Sequence, residues 1–159
     1  MRWFALLLLF LAGPAFAQQQ SPRACGVDNL TACRSCSGLA AALKNQPLDA
    51  GEYFHGLLRN GLFTAFFLDC MPLGERLLQR GADPSIGGMF GSMALSLSDE
   101  WPHKNKAINE RWVALLLRYH IRANIKSYLD NELTIEVVAK GEFKPSYPDI
   151  WNRLLEASK

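Results

Sequence analysis

Histidine is scarce: His55, His103 and His120 are the whole supply in 159 residues. None has a carboxylate or a second histidine four positions on, and the H-E-x-x-H, G-x-S-x-G, P-loop and G-x-G-x-x-G patterns are all missing. Those motif-bearing routes to hydrolysis, phosphoryl transfer and dinucleotide chemistry are therefore unsupported, no cofactor is expected, and the histidines mark no metal site. Gly87-Gly88-Met89-Phe90-Gly91 is glycine-rich but lacks the Lys-Ser/Thr that follows a phosphate loop, so it reads as a turn. Asp99 and Glu100 are neighbours on a loop and point apart, which does not suit an acid/base pair. Net charge is low as well, +2 formally, which argues against a nucleic-acid partner. With 49% apolar and 20% charged residues, the chain is neither a disordered tail nor a fibre, and its length fits one domain. Long apolar runs are missing: the longest, Trp3–Ala12, falls well short of the roughly 20 residues that span a bilayer.

What is present begins with an address. Met1-Arg2, the apolar run and Gly13-Pro14-Ala15-Phe16-Ala17 have the order of a secretory signal, a positive start, an apolar middle and a small-x-small cleavage site. The expectation is residues 1–17 as signal peptide, 18–32 as an N-terminal leader and 33–159 as one domain. The compartment is then periplasmic or extracellular, with no membrane insertion once the signal is cleaved.

That compartment decides how the cysteines are read. Cys25, Cys33, Cys36 and Cys70 make an even count, which in an exported chain favours two disulfides with three possible pairings. Three cysteines near the start and one far away suggest Cys25–Cys33 locally and Cys36–Cys70 across the fold. Two alternatives stay open. Cys33-Arg34-Ser35-Cys36 is a C-x-x-C pair that a thiol-disulfide oxidoreductase would use, although no strand precedes it. A structural zinc site would take all four sulfurs.

Apolar spacing is helical almost throughout, and strand signals are sparse. Cys36, Leu39, Ala40 and Leu43 fall at i, i+3, i+4 and i+7, as do Phe63, Phe66, Phe67 and Cys70, and Trp112, Leu115, Leu116 and Tyr119; Ile150, Trp151, Leu154 and Leu155 give a shorter set. Leu133–Ala139 is the best strand candidate and reads equally well as a buried helix. A short signature also repeats. Leu57-Leu58-Arg59-Asn60-Gly61 matches Leu77-Leu78-Gln79-Arg80-Gly81; Leu116-Leu117-Arg118-Tyr119-His120 follows the pattern, and Leu154-Leu155-Glu156 is a truncated copy. His120 then reads as a helix-end residue in a glycine position, and His55 as packing between apolar neighbours.

Leu77–Pro84, with its Leu-Leu-x-x-Gly-Ala-Asp core, resembles the end of the second helix in ankyrin repeats. Gly91–Ser98 and Asp130–Ala139 are weaker matches to the opening of the next units. Over residues 60–156 the resemblance implies an all-α fold of stacked antiparallel helix pairs, an ankyrin-like α-solenoid with short extended fingers. Residues 33–59 would be an N-terminal cap pair, Asp149–Ala157 a closing helix, and 99–109 and 142–148 insertions. In that family the fingers and first helices grip other proteins, which singles out Met89, Phe90, Trp101 and Tyr128. Trp101, with His103 beside it, is the aromatic centre of a charged insertion, Ser98–Lys106, and its competing reading is a ring folded back on its own helices. The leading expectation is a non-catalytic, exported protein-binding module, in particular an immunity or inhibitor protein that neutralises a secreted toxin. The alternatives are an oxidoreductase working through Cys33 and Cys36 and a chaperone-like partner of another envelope protein.

Overall fold

In the computed structural model, residues 24–54, 57–88, 91–126 and 132–159 are described. The expected signal peptide and the start of the leader, together with His55, Met89, Phe90 and Tyr128, lie outside them. A short 3-10 turn, Leu30–Ala32, leads into α1 (Cys36–Ala42). A hairpin follows, β1 (Gly51–Phe54) and β2 (Leu57–Asn60), antiparallel with Gly51 opposite Asn60 and Phe54 opposite Leu57. The rest is helical: α2 (Gly61–Phe67), α3 (Met71–Gln79), α4 (Met93–Leu97), α5 (Lys106–Leu117), α6 (Thr134–Ala139) and α7 (Pro148–Glu156). Among the described residues the protein is mostly helical, with this one two-stranded sheet.

Local chemistry explains where helices start. Ser35 Oγ accepts from Gly38 N, Asn60 Oδ1 from Phe63 N at 2.8 Å and Asn105 Oδ1 from Ala107 N at 3.0 Å, each filling an amide left open in a first turn. Pro72 and Pro148 stand in the first turns of α3 and α7, where a missing N–H costs nothing.

Helix ends follow one device. After α3, Gly81 takes φ +95°, Ala82 N donates to Leu77 O at 3.0 Å and Gly81 N to Leu78 O at 2.9 Å. The same crossed pair of bonds closes α5 at His120, α2 at Asp69 and α6 at Gly141, all with positive φ. His120 is the costly member, since a side chain at φ +59° is sterically disfavoured. His120→Gly is expected to raise stability by about 0.5–1 kcal/mol, after allowance for glycine's freer unfolded chain. The shift of the urea midpoint measures it, and a lower midpoint would mean the imidazole makes a contact worth more than the strain.

The core is continuous. α4 is buried on every side, Met93, Ala94, Leu95, Ser96 and Leu97 all being sealed, and it packs against α5 and α7. Trp112, fully buried, lies against Gly74 of α3, where a Cβ would come within 2.6 Å of the indole. Each fully covered large aliphatic side chain contributes about 1.5–3 kcal/mol. Hydroxyls join one connecting segment to the next: Ser85 Oγ accepts from Arg122 N, and Ser158 Oγ from Ala123 N at 2.7 Å.

Two expectations change, and the open reading of Leu133–Ala139 is decided. The N-terminal cap is one helix and a hairpin rather than a helix pair. The Leu57–Gly61 copy of the repeat is not a helix end: it is strand β2 running into the Asn60 cap of α2, because Asn60 finds an open helix start on its C-terminal side. Leu30, in the segment expected as leader, is fully buried in the core. Leu133–Ala139 resolves as helix α6, opened by Glu136, whose carboxylate accepts from Leu133 N.

Candidate binding cleft

The site grows from the sequence of α2. Phe63, Phe66 and Phe67 at i, i+3 and i+4 make a stripe wider than burial alone requires. Phe63 and Phe66 are buried and 6.1 Å apart, and Phe66 meets the Trp112 ring edge-on at 5.6 Å. Phe67, the third, is only half-buried.

The charged insertion between α4 and α5 folds onto this stripe. The Trp101 ring sits 6.0 Å from Phe63 and 5.5 Å from Phe67, and the His103 ring stands edge-on to Phe66 at 5.0 Å. His103 Nε2 lies 2.6 Å from Phe66 O; a carbonyl only accepts, so that nitrogen carries the proton. Other bonds hold the loop in place. Buried Asn109 donates to Leu97 O and Asp99 O, Ser146 Oγ to Asp99 Oδ1, and Tyr147 N and Oη to Ser98 O and Lys104 O. Trp101 and His103 are therefore built into the fold, both half-buried, rather than projecting from it.

Phe63 and Phe67, the two phenylalanines that meet Trp101, also line a cleft of about 240 Å³. Phe63, Thr64 and Phe67 form one wall, and Leu30, Thr31, Cys33 and Arg34 the other. The Cys25–Cys33 bridge fixes that second wall, and Arg34 is fixed at the rim because its guanidinium donates to Thr31 O at 2.5 Å. The arrangement suits an apolar or aromatic group entering between phenylalanine and leucine, with a cation at the mouth for a carboxylate or carbonyl.

Trp101 and His103 are thus brought together with the aromatic stripe, and Met89, Phe90 and Tyr128 cannot be placed. Phe67, Leu30 and Arg34 were missed. The signal for Phe67 was in the sequence, as a third aromatic on a helix where two suffice for the core. Leu30 and Arg34 had no local signal, because the second wall exists only once the disulfides close.

The disulfides are Cys25–Cys33 and Cys36–Cys70, the pairing favoured from the sequence, and no described cysteine is free. The two sulfurs of the C-x-x-C pair belong to different bridges. Among the described residues, no three His, Cys, Asp or Glu side chains converge as metal ligands, and no helix is long and apolar enough to cross a membrane. Shifted ionisations lie at α6 and α7, outside the cleft. The Glu132 carboxylate bonded to Lys140 raises that ammonium's pKa, burial and then the Glu100 and Asp99 charges raise Tyr147, and the Lys106 hydrogen bond lowers Asp149. No family model matches the chain, and neither a curated protein nor a solved structure matches it.

Proposed function

We propose that this chain is a non-catalytic protein-binding module of ankyrin-like build, exported through its N-terminal signal, and that its partner is another protein, in the first instance a toxin or effector enzyme that it neutralises. The observation carrying this reading is the cleft between residues 30–34 and α2, whose phenylalanine wall is backed by Trp101. Walls made of a disulfide-bridged segment and a capped helix are set before a partner arrives, so little ordering entropy is spent on binding.

The ankyrin-like part rests on two regularities. The crossed helix-end bonds recur at α2, α3, α5 and α6. Each short first helix is preceded by antiparallel pairing: β1 with β2 before α2, Ile86 with Ser92 before α4, and Lys126 with Leu133 before α6. Export fits a chain with two disulfides and no described free thiol. An oxidoreductase acting through Cys33 and Cys36 would need those sulfurs to meet, and each is held by another partner.

The test is capture of the partner from the native envelope fraction. Trp101→Ala is expected to weaken capture by about 2 kcal/mol, roughly 30-fold in affinity. Because Trp101 also packs on α2, Thr31→Trp serves as the companion variant, filling the cleft from its half-buried edge while leaving the stripe intact. Undiminished capture by both variants, each with a wild-type circular dichroism spectrum, would remove the cleft from the reading. The immunity role is checked separately, by protection of cells against a toxin encoded beside this gene; failure to protect sinks that role alone.

A further inference from the structure

A second surface lies between α1 and α3, and it shares no residue with the cleft. Two adjoining hollows of about 250 and 210 Å³ run along the two helices and meet at Ala40, Leu73 and Arg76. The floor is apolar: half-buried Ala40 of α1, Leu43 at its C-terminal cap, and Leu73 and Leu77 of α3, the three leucines showing only an edge to the groove. Those positions keep helical spacing, so the floor is one side of each element, and no third described helix lines the hollows. A nine-residue helix such as α3 is about 13 Å long, enough to seat two to three turns of a partner helix.

Charge says what that partner is. Lys44, Arg76 and Arg80 stand along the rim, all exposed, and none makes an ion pair with a described residue. Two carboxylates on these elements are committed elsewhere: Asp69, at the far end, accepts from Trp112 Nε1 and Arg111, and Glu75 pairs with Arg118. The chain's own segment 18–23, Gln-Gln-Gln-Ser-Pro-Arg, carries one positive charge and no acid, so it does not complement this rim.

We propose that the α1–α3 groove receives an acidic amphipathic segment of a partner protein, apolar side chains on Leu43, Leu73 and Leu77 and carboxylates on Lys44, Arg76 and Arg80. Apolar anchors at helical spacing give the affinity, and the cations set orientation and speed the encounter. The inference rests on the protein-binding reading above and adds to it the face and the chemistry of the bound segment.

The experiment pans a displayed library of random 15-residue peptides against the oxidised, exported chain at low salt. Enriched sequences are expected to be acidic and amphipathic. Their binding should fall at least tenfold on Arg76→Glu with Arg80→Glu, fall likewise on Ala40→Trp, and weaken steeply as salt rises. Arg76 and Arg80 are exposed and pair with no described residue, so their reversal is expected to cost little at the end of α3 and to keep the fold, which circular dichroism checks. Enrichment of basic or purely apolar sequences, or binding indifferent to both groove variants, overturns the proposal. So does the absence of acidic peptides together with charge-dependent binding of phosphatidylglycerol vesicles, which would assign the rim to an anionic membrane. Thr31→Trp separates the two sites. Peptides lost on Thr31→Trp and kept on the groove variants leave the cleft standing and the groove refuted, and the reverse pattern leaves the groove standing alone.

Discussion

Replacing Cys36 and Cys70 together by alanine is expected to lower stability by about 3–4 kcal/mol, against about 2.5 kcal/mol for Cys25 with Cys33. The order follows from the loops. The first bridge joins residues 34 apart and the second residues 8 apart, and the entropy removed from the unfolded chain grows with the logarithm of that distance. Helix α1 has seven residues, too few to persist alone, and it reaches the body of the protein through Leu39, Leu43 and this sulfur pair. At Gly61 a Cβ would come within 2.6 Å of Leu43, so the contact that remains is tight but small. Loss of the longer bridge should therefore free α1 before the rest unfolds. Urea unfolding of both double variants, followed by circular dichroism, measures the difference. Equal penalties would show that α1 is held by packing and that the covalent link adds little.

Gly74→Val is expected to cost about 3 kcal/mol, the upper end for overpacking a filled core. Glycine inside a helix ordinarily invites replacement, since alanine gains about 1 kcal/mol of helix propensity. Here the new Cβ would meet the Trp112 ring at under 3.0 Å. The ring has nowhere to go. It is fully buried, its Nε1 donates to Asp69 Oδ1 at 3.1 Å, and Phe66 stands edge-on against it at 5.6 Å. Gly74→Ala should still destabilise, by about 1 kcal/mol net of its propensity gain. In a Trp112→Leu background that penalty should shrink or reverse, as contacting residues do not add. A stable Gly74→Ala in the parent chain would mean that α3 and α5 separate without loss, and the close approach of the two helices would not matter.

The helical character was legible because the apolar positions of α1, α2, α5 and α7 keep a 3.6-residue period, and the buried sets match: Leu39 and Leu43, Phe63 and Phe66, Trp112 and Leu116, Ile150 and Leu154. Helix ends were legible only where glycine, or a residue aligned with it, marked them. Gly81 and His120 were found. Asp69 was missed because aspartate usually signals a helix start or a turn, although its short polar side chain tolerates the left-handed region. Leu57–Gly61 misled for the opposite reason: the same five-residue pattern ends a helix when its leucines continue one, and begins a helix when they sit in a strand. The site was half legible. Trp101 and His103 were found as an aromatic pair among charges, but a sequence does not show that the insertion folds inward, since this depends on Asn109 and Tyr147 bonding its backbone from other elements. The second wall, from Leu30 to Arg34, is joined to α2 only through tertiary closure.

Asp69 has a further meaning for how the molecule comes apart. One residue turns the chain from α2 into α3, neutralises a guanidinium of α5 and receives the indole proton of α5. Three separate demands meet on a single carboxylate, which adds a polar latch to the packing of Trp112 on Phe66 and Gly74. A fluctuation that carries Asp69 away from α5 would strip Trp112 of its polar anchor and leave a buried indole N–H unpaired, so loosening at the corner is felt in the interior.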